Sequence, residues 1–105
     1  MNGNGIFTWS PDKADRNLRT HGVSFETAVE AFSDPHQVTV DNYCVEDQGE
    51  QRYALIGMTR GLVLLLVVFV DHSSPETGTI HLISARKAER YEQKIYAAHL
   101  QNRNY

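Results

Sequence analysis

The segment "LISARKAERYE" places Arg86 and Lys87 directly behind the apolar residues Leu82 and Ile83, with Arg90 close after them. A strand that delivers a guanidinium to a sheet face can aim it at phosphate, which it holds with two parallel hydrogen bonds. The competing reading is two solvated cations at a helix start. Cations are disfavoured at the positive end of the helix dipole, which favours a functional task for Arg86 and leaves Lys87 as surface. Arg52, in "QRYALIG", either pairs with Glu50 or another acid across strands or meets the same phosphate. His21 either caps the carbonyls of a helix C-terminus or serves as a general acid or base. His81 alternates with Ile80 and Leu82, so it faces away from them as an open-face contact. Tyr91 reads as core, whereas Tyr96, off the apolar stripe, is free to stack on a base or pack on a partner.

Other chemistries lack their residues. Gly-rich phosphate loops, HExxH and GxSxG are missing from the sequence, and with them the usual nucleotide, zinc-protease and acyl-enzyme routes. The single cysteine, Cys44, forms no intrachain disulfide, and no Cys/His cluster has zinc spacing. What remains is a metal-free, cofactor-free reaction on a charged substrate, or binding alone.

The chain has 105 residues, 41% hydrophobic and 22% charged, with a formal net charge of −3. That is one soluble domain spanning 1–105. Charge is uneven: up to Ser84 there are five Lys/Arg against eleven Asp/Glu, and from Ala85 onward five against two. A basic tail permits contact with a polyanion, while overall acidity argues against non-specific coating of nucleic acid. The N-terminus has neither a basic nor an apolar region and is not read as a secretion signal. The longest apolar run, nine residues from Leu62 to Val70, is far short of the roughly 20 that span a membrane. A reducing cytoplasm fits best.

The elements that must position these residues follow from local signals. Ser10-Pro11-Asp12 gives an N-cap, a proline at the first helical position and an acid in the first turn, and Gly22 supplies the stop, so Pro11 to about Thr20 is a helix. Ser24 caps a second helix, whose stripe is Phe25, Ala28, Val29 and Phe32 and which Asp34-Pro35 ends. Gln37–Val40, Gln51–Ile56, Leu62–Val70 and Thr79–Ser84 read as strands, with Ile6–Trp9 a short apolar start and the acidic stretch Asp41–Glu50 a loop. A closing helix from near Ala85 puts Ala88, Tyr91, Ile95 and Ala98 on one side. The fold class expected is α+β: two N-terminal helices, an antiparallel sheet of about four strands, and a C-terminal helix.

Three blocks in this order resemble the BrnT family of bacterial toxins. "FTWSPDKADRNLRTHGVSFETAVEAFSDP" carries Trp9, Pro11, Lys13, Asn17, His21, Gly22, Val23, Phe25, Ala28 and Phe32; "GEQRYALIG" carries Gly49, Glu50, Arg52, Tyr53 and Gly57; "ISARKAERYEQKIY" carries Ser84, Ala85, Arg86, Ala88, Glu92 and Tyr96. The resemblance implies a compact RelE-like domain that cuts RNA without a metal. It also implies silencing by a BrnA-like ribbon-helix-helix antitoxin, through which the pair reaches operator DNA. On that reading Arg86 and Arg52 stabilise charge and His21 or Glu50 moves protons. Lys13, Arg60, His81 and Tyr96 would hold substrate. Two positions depart from the pattern: Met58 stands where the family usually has arginine, with Arg60 in the same turn as substitute, and Thr79 and His81 stand where basic residues are common.

Overall fold

In a computed structural model, residues 5–40, 45–47 and 50–102 are described, with side chains for 6–40 and 51–101. The order is β1 (Gly5–Thr8), α1 (Pro11–His21), α2 (Phe25–Ala31), β2 (Val38–Thr39), β3 (Val45–Asp47), β4 (Glu50–Met58), β5 (Leu64–Asp71), β6 (Gly78–Lys87) and α3 (Arg90–Asn102). One sheet runs β1-β6-β5-β4-β2, with β3 also paired to β4. The α+β class and the antiparallel meander β4-β5-β6 are as expected. Two strands are additional. Ile6–Trp9, read only as an apolar start, contributes β1, which pairs parallel with β6 and makes the sheet mixed. Part of the acidic stretch read as a loop is β3, antiparallel to β4; Asp41–Cys44 and Gln48–Gly49 lie outside the described residues. No helix among the described residues is long and apolar enough to cross a membrane.

α1 and α2 begin and end close to where the sequence signals them, although the Ser10 side chain makes no capping hydrogen bond. Pro11 opens α1, and Gly22, at φ 71°, closes it with its N–H on the Leu18 carbonyl at 2.9 Å, a left-handed cap that glycine adopts without penalty. Ser24 caps α2, its hydroxyl accepting from Thr27 N–H at 3.1 Å. The end of α2 rides directly on β4, since a Cβ at Gly57 would collide with the Ala31 carbonyl.

Strand alternation sorts the core into two layers. Leu55, Leu65, Val67, Phe69, Leu82 and Ala85 meet Phe25, Ala28 and Ala31 on the α1/α2 face. Ala54, Ile56, Leu66 and Val68 meet Tyr96 on the α3 face. β5 is buried on both faces, which explains its unbroken apolar run. Each fully buried Leu, Ile or Val in these layers contributes about 1.5–3 kcal/mol.

The closing helix differs most from expectation. β6 runs on through Arg86 and Lys87 to Lys87, so neither is a helix-start residue, and α3 begins at Arg90. Tyr91 and Ile95 are exposed, while Glu92 and Tyr96 are buried. The apolar stripe was misleading because both buried polar groups are satisfied: Glu92 by Arg86, at 2.9 Å to each carboxylate oxygen, and the Tyr96 hydroxyl by Asp34, at 2.7 Å.

β1 stops at Thr8, opposite His81, so β6 beyond it lacks a strand on that edge. Asn17 of α1 fills the gap. Its amide nitrogen donates to the Ala85 carbonyl at 2.8 Å and the Val23 carbonyl at 2.9 Å, and its oxygen accepts from Ala85 N–H at 3.1 Å. Replacing Asn17 with alanine leaves these buried backbone groups unsatisfied, and at about 1–3 kcal/mol for such a group the expected loss of stability is roughly 3 kcal/mol. Urea unfolding checks this: a midpoint within error of the wild type would show that the amide does not hold the edge.

Candidate functional site

The surface that gathers the sequence candidates is centred on β6. Facing partners across strands share a side of the sheet. Arg52 pairs with Val70, Val70 with His81, and His81 with Thr8, so Arg52 and His81 lie in one row on the α3 side, about 10 Å apart by strand spacing. The Thr8 hydroxyl meets His81 Nδ1 at 2.8 Å, which fixes the ring and leaves Nε2 as its outward nitrogen. His72 stacks on His81, with ring centroids 5.9 Å apart and planes 14° from parallel.

Between Leu82 and Ser84 the β5–β6 register shifts, leaving Ile83 as an extra residue. Ser84 then pairs with Val68 and Arg86 with Leu66, both on the α3 side. His81, Ser84 and Arg86 therefore follow one another along a single face of β6.

α1 passes beside Ser84. Lys13, Arg16, Thr20 and His21 surround a cleft of about 240 Å³ whose floor is Asn17, Ile83 and Ser84. Lys13, Asn17 and His21 are spaced by four, so the amide that anchors the helix also turns its neighbours toward the cleft. Among the described residues no carboxylate lines it, and no ion pair answers Lys13 or Arg16. Two cations, an imidazole and two hydroxyls around an open hollow match the needs of a phosphodiester.

Lys13 and His21 thus reach β6 from α1, His81 and Arg86 lie on β6 itself, and Arg52 lies two strands away on β4. Arg86 is bidentate on Glu92 and also donates to the Lys87 carbonyl at 3.1 Å. The bond to Glu92 is the chief reason its guanidinium holds its proton more tightly than usual. Two candidates are elsewhere. Arg60 is at the opposite end of β4 from Arg52, on the α2 side, with its guanidinium 3.3 Å from Glu30, so it does not replace the arginine missing at Met58. Tyr96 is buried with its hydroxyl on Asp34 and has no face free to stack; it is Tyr91 that is exposed. For Glu50 only the backbone, at the start of β4, is described.

The roles of three contributors escaped the sequence reading. Arg16 carried no signal beyond its position before Asn17. Asp34 and Glu92 did: an acid before proline and an acid three residues after Glu89 are local capping positions. The Glu92 carboxylate accepts Glu89 N–H at 2.7 Å. Asp34 accepts from His36 N–H and Met58 N–H, each at 2.8 Å, as well as from Tyr96. Burial alone would raise the Asp34 carboxyl, but these bonds outweigh it and hold the group below its ordinary value. Glu92 is likewise pushed up by burial and drawn down further by Arg86 and Glu89 N–H, ending below its ordinary value. Burial and the Asp34 charge raise Tyr96 to about 12.

A small α+β protein with a cationic cleft at a sheet edge is the class these features define. Residues 9–92 match the family model described as "Ribonuclease toxin, BrnT, of type II toxin-antitoxin system", and the chain belongs to that family. The solved structures it resembles include the 1.1 Å crystal structure of the Brucella abortus ribonuclease toxin BrnT, with TM-score 0.56 and 22% identity over 82% of this chain and 97% of that one. At that identity the likeness is one of fold. A comparison with curated proteins gave no match.

Both carboxylates bind protons more weakly in the folded than in the unfolded chain, so the stability they contribute is present above the ordinary carboxylate range, about pH 4, and is lost as pH falls through their lower folded values. Glu92→Gln is expected to cost about 1.5–3 kcal/mol at pH 7, the scale of hydrogen bonds to charged groups, and progressively less toward pH 2. Unfolding midpoints across that range test it, and a cost that does not change with pH would remove the charge argument.

Proposed function

We propose that this toxin is a metal-independent endoribonuclease whose RNA track runs along β6, and that the cleft joining Lys13, Arg16 and His21 to Ser84 is the observation that carries this reading. RNA is cleaved when its own 2′-hydroxyl attacks the adjacent phosphate. The protein must accept a proton, stabilise charge on the phosphoryl oxygens and protonate the departing oxygen. Lys13 and Arg16 hold the non-bridging oxygens, with Ser84 and Thr20 as neutral donors beside them. His21 at the cleft and His81, oriented by Thr8, transfer protons, with Glu50 the alternative base. Arg52, in the same row as His81 but two strands over on β4, extends the track across the sheet. Arg86, already answered by Glu92, chiefly anchors α3 to the end of β6, and its remaining exposed edge contributes positive potential to the track. In this reading no cofactor is needed.

The family reading supports a cytoplasmic toxin that arrests growth. A BrnA-like ribbon-helix-helix antitoxin neutralises it and links it to operator DNA. A weaker enzyme that serves mainly as antitoxin partner and co-repressor is favoured by one specific feature: the cation missing at Met58 is not restored by Arg60, which is paired with Glu30.

Lys13→Ala with Arg16→Ala is expected to slow RNA cleavage by about 100-fold or more, as two charged contacts of about 1.5–3 kcal/mol each are lost, and to relieve growth arrest with the fold intact. Induction of wild type and double variant in an antitoxin-free bacterium, following growth and total RNA together, decides the matter. Intact RNA with soluble wild-type protein would favour the co-repressor reading, and equal RNA loss from both proteins would move the site away from the cleft.

A further inference from the structure

The opposite side of α1 borders a second hollow with a different chemistry. Trp9, Ala14, Leu18 and Phe25 form an apolar floor between α1 and α2, in a groove of about 480 Å³. Its rim carries Asp12, Asp15 and Glu26 and, among the described residues, neither Lys nor Arg. Leu18 is 49% exposed there, a large aliphatic side chain that the chain's own core does not cover. Leu18 and Ser24 also line a neighbouring groove of about 410 Å³ that reaches Val63, with Glu30 and Lys87 at its border. The two hollows meet along the α1–α2 junction and form a trough, apolar below and mainly acidic at the edges.

Asp12 and Glu26 each sit in the first turn of a helix, where acids answer the dipole. That accounts for their presence but not for their convergence on one apolar groove. Asp15 is partly answered by Arg19 at 2.7 Å. Asp12 and Glu26 have no ion-pair partner among the described residues. A segment that fits here presents apolar anchors inward and lysine or arginine outward. An acidic or purely polar segment does not fit.

We infer that the trough between α1 and α2 docks a basic amphipathic segment of the antitoxin, on the side of α1 away from the cationic cleft. The inference rests on the toxin–antitoxin reading and adds the surface and the charge of the partner segment. Apolar side chains of that segment cover Leu18 and Trp9, and its cations meet Asp12 and Glu26.

The test titrates the cognate antitoxin, produced from the gene adjoining this one, into full-length toxin and two variants by calorimetry at several salt concentrations. Thermal unfolding and RNA cleavage are measured on the same samples. Leu18→Glu is expected to weaken binding about 30-fold, the effect of losing a buried anchor, while free-toxin cleavage is unchanged. Asp12→Lys with Glu26→Lys is expected to weaken it about tenfold and to flatten its salt dependence. The cleft variant Lys13→Ala/Arg16→Ala retains wild-type affinity. Wild-type binding unaffected by both trough variants overturns the docking site and leaves the toxin–antitoxin reading standing; loss of binding in the cleft variant alone places the partner over the RNA track and overturns it too. No binding to the wild type removes the toxin–antitoxin reading and this inference with it. Concentration-dependent dimers of the wild type that Leu18→Glu abolishes would assign the trough to a second copy of this chain and overturn the antitoxin assignment.

Discussion

The hydrogen bonds between the Asn17 side chain and the Ala85 backbone are the constraint on which the site depends. A sheet edge must satisfy its amides and carbonyls with a strand, with water or with a side chain. β1 covers β6 only as far as His81, and a buried asparagine then does for Ala85 what a strand neighbour would have done. Because the donor is in the middle of α1, the bond also fixes the rotation of that helix. The third bond, to the Val23 carbonyl, ties the α1–α2 junction to the same point. Lys13 and His21, one turn before and one turn after, line the same cleft.

α3 is held by a different device, two buried carboxylates. Glu92 joins Arg86 to the first turn, and Asp34 joins Tyr96 to β4. Buried ion pairs are costly unless every acceptor is used, and here each carboxylate also accepts backbone N–H groups. The result is specificity of placement. Tyr96 and Leu100 belong to the apolar cluster that β2, β4, β5 and Ile83 of β6 build on the α3 face.

Legibility in the sequence followed the range of each interaction. The Gly22 stop of α1, the Ser24 cap of α2 and the buried run of β5 are written in consecutive residues and could be read directly. β1 and β3 are too short, at four and three residues, for alternation to show, and they exist because longer strands offer them an edge. The face of α3 was misread because helical periodicity treats Glu92 and Tyr96 as polar, whereas burial depends on partners 6 and 62 residues away in the chain. The same limit applied to the site. Lys13, His21, Arg52, His81 and Arg86 were recognisable by type, but the engagement of Arg86 by Glu92 and the pairing of Arg60 with Glu30 belong to tertiary structure. Asparagine in a helix interior was the one local hint of a distant task, since its side chain competes with helical hydrogen bonding unless employed elsewhere.

Net charge was the least informative number in the sequence, and α1 shows why. The helix has Lys13, Arg16 and His21 on the side that meets β6, and Asp12, Asp15 and Leu18 on the side that meets α2. Summed, these charges nearly cancel; separated by one helix diameter, about 10 Å, they create neighbouring surfaces of opposite sign. At physiological salt the screening length is about 8 Å, so each surface is felt mainly by whatever touches it. An overall charge of −3 therefore argues against indiscriminate coating of nucleic acid but not against a local phosphate site. One helix, oriented by one asparagine, thus carries both the proposed polyanion site and the proposed site for a basic segment on opposite sides.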